Sequence, residues 1–282
     1  MPDLPRVWVN GRLLDDPSGG VSPVDHGLVV GDGAFETVEI VAGQPFALTR
    51  HHRRLDRSLA GLGLAPLDWD RMNHGIREVL ADAPPIAFGR LRYFVTGGPG
   101  ALGSERVPDG QATYVAAAGA LAPHPPSYAL HVVPWVRNER AATAGLKTTS
   151  YAENVIAYAA AKRAGAGEAI FANSKGELCE GTGSNIFVVI DGVIRTPPLS
   201  SGALSGVTRE LLLEWAAQDG LTIREEDLPL SVLQTADEVF ITSTTRAVMP
   251  VHRVDDREIP IGPLTRRAAE LFAARAAQGL DP

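Results

Sequence analysis

The sequence predicts an α+β fold built in two halves. Short alternating or β-branched runs, each closed by a glycine or Asn-Gly turn, recur along the chain and read as strands. Between them, leucines at helical spacing mark longer segments. A stretch with three prolines in seven residues, Leu121-Ala122-Pro123-His124-Pro125-Pro126-Ser127, separates one such pattern from a second that restarts after it. We expect an N-terminal α+β domain over residues 1–120, a proline-rich linker over 121–127 and a C-terminal α+β domain over 128–282.

The elements follow in order. Val7-Trp8-Val9 runs into an Asn10-Gly11 turn, a hairpin signal. Gly31-Asp32-Gly33 is a tight turn feeding the alternating strand Ala34 to Val41. Leu55, Leu59 and Leu62 place a helix over Arg50 to Leu62, and Asp70 to Leu80 reads as another. Leu91 to Thr96 and Ala112 to Ala116 are strands flanking a glycine-rich loop. Beyond the linker come a strand from Ala129 to Val133, a long loop and a helix reaching about Ala164. Next are a strand from Glu168 to Ala172, a turn at Asn173 to Gly176 and strands across Gly183 to Arg195. A helix from Val207 to Asp219, a strand from Asp237 to Thr242 and a helix from Pro263 to Ala277 complete the series.

Composition excludes several classes. A hydrophobic content of 45% supports a real core, and a net charge of −7 argues against a general nucleic-acid or membrane-surface role. No apolar run approaches membrane-spanning length, and Met1 to Arg6 lacks the apolar core of a signal peptide. Cys179 is the single cysteine, which suits a reducing compartment and a small buried strand residue. The expectation is a soluble cytoplasmic protein.

Lysine is scarce: only Lys147, Lys162 and Lys175 occur. Lys162 lies in the run Ala159-Ala160-Ala161-Lys162-Arg163, which reads as a solvated helix face, and Lys175 in a turn. Lys147 precedes Ser150-Tyr151-Ala152-Glu153, which has capping-box spacing. It therefore sits on a loop entering a helix, as a surface lysine or a candidate nucleophilic amine.

Other stretches carry possible chemistry. Ser205-Gly206-Val207-Thr208 opens a helix and offers free N–H groups and a hydroxyl to an anion, although an ordinary cap looks the same. Thr242-Ser243-Thr244-Thr245 is a second hydroxyl cluster or a polar turn. Glu180 precedes glycine-rich backbone and, if buried, needs a cationic partner. Of Arg53, Arg54 and Arg57, one turned inward would want a phosphate or a carboxylate. His51-His52 has no third ligand at usable spacing, so no metal site is expected. Gly98-Pro99-Gly100-Ala101-Leu102-Gly103 matches a dinucleotide-loop pattern, but Ser104 to Gly110 is a poor helix, so it reads as a loop.

A lone lysine, an arginine, two phosphate cradles and an isolated carboxylate are the parts of a pyridoxal 5'-phosphate site. Here the chain resembles the class IV aminotransferase family, the fold-type IV enzymes. That group includes branched-chain and D-amino-acid aminotransferases and 4-amino-4-deoxychorismate lyases. The likeness runs from Asn10-Gly11 to Thr242-Ser243-Thr244-Thr245 and beyond. Its most specific pieces are Gly31-Asp32-Gly33-Ala34-Phe35-Glu36-Thr37, His51-His52-Arg53-Arg54-Leu55, Lys147, Glu180-Gly181-Thr182-Gly183-Ser184-Asn185-Ile186-Phe187 and Gly206-Val207-Thr208-Arg209. The resemblance implies a two-domain α+β enzyme, D-amino-acid-aminotransferase-like, with the cofactor in the cleft between domains and a homodimer or larger assembly.

It also implies roles. Lys147 matches the lysine that bonds the cofactor, Arg54 a phosphate-binding arginine, and Glu180 the carboxylate on the ring nitrogen. Tyr151 matches the residue facing the ring hydroxyl. Val207 and Thr208 match one phosphate cradle, Ser243 and Thr244 the other. Phe35 matches a pocket wall, and Thr245 and Arg246 fall where the substrate carboxylate is met.

This chain departs from its relatives in two places. Aminotransferases of the family have small residues at the position of Arg246. D-amino-acid enzymes and the better-known lyases carry an arginine after the Leu91–Thr96 strand, where this chain has Gly97-Gly98 and the nearest cation is Arg106. Arg246 or Arg106 is therefore expected to take the carboxylate of an amino-acid or oxo-acid substrate. The glycine-turn segment and overall spacing look most like lyases giving 4-aminobenzoate and pyruvate. An aminotransferase is the alternative, and a non-catalytic binding module a third.

Overall fold

The computed structural model describes residues 5–16, 18–107 and 110–282. The expectations placed on Met1 to Leu4, and on Pro108 and Asp109 of the glycine-rich loop, lie outside these residues. The chain divides into two compact units. The first takes in residues up to Pro123, Leu146–Ser150 and Asp281, and the second His124–Gly145, Tyr151–Leu280 and Pro282.

The first unit is a six-stranded antiparallel sheet, ordered β2-β1-β6-β5-β3-β4. Its strands are β1 (Arg6–Val9), β2 (Arg12–Leu13), β3 (Gly33–Val41), β4 (Gln44–Pro45), β5 (Phe88–Thr96) and β6 (Thr113–Ala120). A short α1 (His26–Val29) precedes β3, and α2 (Leu48–Leu62) and α3 (Trp69–Asp82) pack on the sheet. The period of two along β3 buries Ala34, Glu36, Val38 and Ile40 against Leu55 and Leu59 of α2. Glu36 is the one charge in that row, on the face where the sheet meets its helices.

Helix ends in this unit are specified locally. Asp68 caps α3 by accepting from the Arg71 N–H at 3.0 Å. Gly63 ends α2 at φ +69°, and the Leu64 N–H reaches the Leu59 carbonyl at 2.9 Å, the six-to-one closure that a left-handed glycine permits. Arg106 then takes the Leu62 and Gly63 carbonyls at 2.8 and 3.1 Å, a cation on the negative end of the helix.

The second unit is a nine-stranded mixed sheet. In sequence its strands are β7 (Tyr128–Arg137), β8 (Glu168–Asn173), β9 (Leu178–Gly181), β10 (Asn185–Ile190), β11 (Val193–Thr196), β12 (Ile223–Glu225), β13 (Glu238–Ser243), β14 (Ala247–Val254) and β15 (Arg257–Glu258). The order is β12-β11-β10-β13-β14-β7-β8-β9, with β15 beside β14. β9 also meets β10 through Glu180 and Asn185, so the strands from β10 round to β9 form a closed ring. Leu130, Ile170, Ile186, Val188, Val239, Ile241 and Val251 fill one core cluster. The parallel pair β7/β8 needs a crossover, which α4 (Ala152–Arg163) supplies. α5 (Val207–Gln218) and α6 (Pro263–Ala276) pack on each other and on β13.

The structure corrects the sequence reading in several places. The capping box at Ser150 does not form: Tyr151 is the N-cap of α4 and makes no side-chain cap bond, while Ser150 Oγ donates to the Gly31 carbonyl at 3.1 Å. In the alanine run Lys162 is exposed but Ala161 is buried, so part of that stretch is core. β14 went unread because Pro250 interrupts its pattern. β9 went unread because it is four residues long and buried throughout.

Two outcomes follow from this packing. A Cβ on Gly75 of α3 would stand 2.5 Å from the Trp8 ring. Gly75→Ala should therefore lower the denaturant-unfolding free energy by about 1–3 kcal/mol through overpacking, against a helix-propensity gain of about 1 kcal/mol. Burial raises the Glu39 carboxyl to about 7, so the folded state loses stability as pH rises from the ordinary carboxylate range toward that value, and the loss is complete above it. Glu39→Gln should gain thermal stability relative to the parent between about pH 4 and about pH 8.

Candidate active site

In the first unit Lys147 is held as if on a strand edge. The Phe35 N–H donates to its carbonyl at 3.0 Å, and its own N–H donates to Ser58 Oγ at 3.0 Å. The Thr149 N–H bonds the Gly33 carbonyl at 2.8 Å, and Ala34 and Thr148 form a bridge. The Leu146–Ser150 strap thus docks on the start of β3. Two glycines allow it: a Cβ on Gly31, at φ +70°, would meet Ser150 Oγ at 2.3 Å, and one on Gly61 would meet Leu146 at 2.7 Å. Lys147 is 8% exposed, and its Nζ lies 4.5 Å from the centre of the Phe35 ring. The guanidinium of Arg92 lies 4.1 Å from the same ring.

Beneath them is a buried charge cluster. Arg54 makes a two-pronged bond to Glu36, Nε to Oε1 at 2.7 Å and Nη2 to Oε2 at 2.6 Å. His51 Nδ1 is 2.7 Å from Glu36 Oε2. Arg53 and Arg57 are exposed, so Arg54 is the arginine turned inward, and a carboxylate receives it. Burial alone would raise the Glu36 carboxyl, but the charge and hydrogen bonds of Arg54, then of His51, hold it below the usual carboxylate range. Burial lowers His51, opposed by Glu36. His52 turns to Tyr93 OH at 2.7 Å and Asn73 Oδ1 at 2.9 Å. Arg106 is spent on structure: Nε and Nη2 bond both oxygens of Asp32 at 2.7 and 2.6 Å, and Nη1 takes the Gly63 carbonyl.

In the second unit Glu180 lies on β9, 9% exposed. It accepts from the Leu204 N–H at 2.8 Å, and Arg137 Nε approaches its other oxygen at 3.2 Å. Although that nitrogen is within ion-pair distance, it lacks hydrogen-bond alignment, so the contact is electrostatic. Arg137 lies over the Phe171 ring at 4.1 Å and bonds Glu153 at 2.7 Å. Tyr151 OH donates to the Thr182 carbonyl at 3.0 Å.

Val207 and Thr208 are buried in the first turn of α5, whose N-cap, Gly206, supplies no side chain. A Cβ at Gly206 would meet Asn185 Oδ1 at 2.0 Å. The first N–H groups of this helix therefore have no side-chain cap, which is the geometry of an anion cradle. Ser243, Thr244, Thr245 and Arg246 form the half-buried β13–β14 turn. Arg246 spends Nε on Ser243 Oγ at 2.8 Å and Nη2 on Glu168 at 2.7 Å and the Gly183 carbonyl at 3.1 Å. Among the described residues its Nη1 has no hydrogen-bond partner.

Sequence reasoning missed Glu36 as a pairing partner, Glu168, Arg137, Arg92 and Ser58. Glu36 left a signal, an acid at a core position of a strictly alternating strand. Glu168 and Arg137 left none, because their partners lie far along the chain.

The first unit thus holds a buried lysine docked on a strand edge, and the second an uncapped helix start and buried acids. The chain belongs to the amino-transferase class IV family, whose model matches residues 33–254. A protein of Methanocaldococcus jannaschii, provisionally named a branched-chain-amino-acid aminotransferase, is 34% identical over 275 residues, covering 95% of each chain. The aminodeoxychorismate lyase of Bacillus subtilis is 29% identical over 257 residues, 89% of this chain and 87% of the other. Among solved structures, the branched-chain aminotransferase of Thermoproteus uzoniensis with norvaline superposes with a TM-score of 0.88 at 28% identity, over 97% of this chain and 95% of that one.

The charge cluster gives this subsection's expected outcome. With Glu36 held low, its stabilisation is complete above the ordinary carboxylate range and is lost as pH falls below it; His51, also held low, adds loss in the same direction. The stability advantage of the parent over Glu36→Gln should be about 3–5 kcal/mol near neutrality, the cost of breaking a buried pair. Thermal unfolding in acid should show that advantage shrinking.

Proposed function

We propose that this protein is a pyridoxal 5'-phosphate-dependent aminotransferase, moving an amino group between an amino acid and a 2-oxo acid. Lys147 bonds the cofactor at rest, and Tyr151 faces its ring hydroxyl. Arg54 and the α5 start at Val207 and Thr208 take its phosphate, with Ser243 and Thr244 as the second cradle. Glu180 pairs with the ring nitrogen. The residues fit these roles: a nearly buried amine, an uncapped helix start and a nearly buried acid on β9. Once bound, the cofactor supplies an electron sink for charge developing on the substrate carbon. Freed Lys147 removes the proton from the carbon bearing the substrate nitrogen.

Arg246 rather than Arg106 suits the substrate carboxylate, since all three Arg106 nitrogens are engaged while Arg246 keeps Nη1. Thr245 lies beside it, and Phe35 walls the amine. The observation that favours a branched-chain-type aminotransferase is the loop after β5, which opens Gly97-Gly98, whereas lyases and D-amino-acid relatives place an arginine in that loop. A Cβ on Gly97 would stand 2.6 Å from Asp32, and Gly98 sits at φ +77° with the Gln111 carbonyl 1.9 Å from its Cβ position. The lyase reading is kept as the second because the Bacillus subtilis lyase matches most of this chain.

We further propose a homodimer working in the cytoplasm. Val155, Ile156 and Tyr158 of α4 are 65%, 53% and 41% exposed, an apolar face a second copy would cover. Among the described residues no helix is long and apolar enough to cross a membrane.

Leucine with 2-oxoglutarate should yield glutamate, while aminodeoxychorismate should yield no pyruvate; pyruvate together with 4-aminobenzoate would select the lyase instead. Borohydride treatment of the loaded protein should fix the cofactor on Lys147 by peptide mass, and Lys147→Ala should lower kcat at least about a hundredfold. Arg246→Gln should raise the KM for 2-oxoglutarate about ten- to a hundredfold, the worth of a charged hydrogen bond.

A further inference from the structure

Glu168 is an acid outside the family roles set out above. It opens β8, is 1% exposed, and receives five donors. Oε1 accepts from the Ala169 and Thr182 N–H groups, each at 3.1 Å, and from Thr182 Oγ1. Oε2 accepts from Ser184 Oγ at 3.1 Å and Arg246 Nη2 at 2.7 Å. One oxygen thus holds the turn after β9, and the other holds Ser184 and the arginine. Gly181 makes the approach possible, because a Cβ there would meet Ser184 Oγ at 2.3 Å and the Glu168 side chain at 3.2 Å.

The two oxygens reach different working groups. Thr182, pinned by its N–H and hydroxyl, presents its carbonyl to Tyr151 OH at 3.0 Å and Asn154 Nδ2 at 2.9 Å. Arg246, pinned through Nη2 and steadied by Ser243, leaves Nη1 as its remaining edge. Rotation of the guanidinium would break the Glu168 bond, so this buried acid fixes the direction in which Nη1 points.

We propose that Glu168 is a positioning residue that sets two groups at once, the phenol of Tyr151 through Thr182 and the free edge of Arg246 directly. Loss of either branch leaves the corresponding group mis-aimed, and small misplacements at a reacting centre are costly. The inference rests on the proposed roles of Tyr151 toward the cofactor hydroxyl and of Arg246 toward the substrate carboxylate.

The branches separate experimentally. Glu168→Gln keeps the shape and an acceptor but removes the charge. It should raise the KM for 2-oxoglutarate about fivefold or more and move the pH midpoint of the bound cofactor's visible band by about half a unit or more. Thr182→Val removes the hydroxyl bond of the Tyr151 branch, keeps its N–H bond and leaves Arg246 untouched: the midpoint should move while KM stays within about twofold. Thr182→Ser should restore the parent midpoint. With a visible band present, a parental midpoint and KM in Glu168→Gln would overturn this inference alone. So would Thr182→Val raising KM as much as Glu168→Gln does. A parent that shows no visible band after loading overturns the cofactor reading, and this inference with it.

Discussion

A carboxylate removed from water must find its charge balanced within the protein, and that constraint organises both units. Glu36 is fully buried, and Arg54 and His51 close on it. Since a lone buried charge costs several kcal/mol, the side chains answering Glu36 have little freedom to go elsewhere. Arg54 is thereby presented in one orientation before anything binds. The second unit repeats the device: Glu168 orders a turn, and Glu238 accepts the Leu264 and Thr265 N–H groups at the start of α6 at 3.2 and 2.7 Å. In each case an acid gathers backbone N–H groups or a cation around it through directional hydrogen bonds.

Apolar packing supplies the frame on which these acids act. β3 carries its aliphatic row and Glu36 on one face, so the register that buries Val38 and Ile40 also delivers the carboxylate to α2. A slip of one residue would turn both row and acid outward. Likewise Gly31, Gly61, Gly181 and Gly206 are absences of side chain where strap, turn and helix start come close. Within each unit, close backbone approaches shape the surroundings of the candidate residues as much as functional groups do.

Local patterns made most of the fold legible in the sequence. The long helices and β3, β5, β7 and β13 follow from periodicity and turn chemistry, which depend on neighbours a few residues away. β14 was hidden by Pro250, and the start of α4 by Ser150, whose hydroxyl is drawn to Gly31 at a sequence distance no local rule covers. The same divide runs through the site. Lys147 stood out by scarcity and Glu180 by its glycine-rich sequel, whereas Glu168 was invisible because Arg246 is 78 positions away. Sequence put Arg246 where the family meets the substrate carboxylate and Arg106 only as the nearest cation in its loop, and their partners separate them further.

The strap of Leu146–Ser150 has a consequence for how the gene can be cut. The first unit is assembled from three pieces of chain: everything to Pro123, the strap, and Asp281, whose carboxylate holds the Thr49 N–H at 2.9 Å in the first turn of α2. Division at the proline-rich stretch would leave the first unit without its lysine. During synthesis its sheet can form while the edge at Gly33 to Phe35 waits for β7 to be made and the strap to follow. Lys147 is thus translated after the strands it docks on, and neither unit is one contiguous stretch of chain.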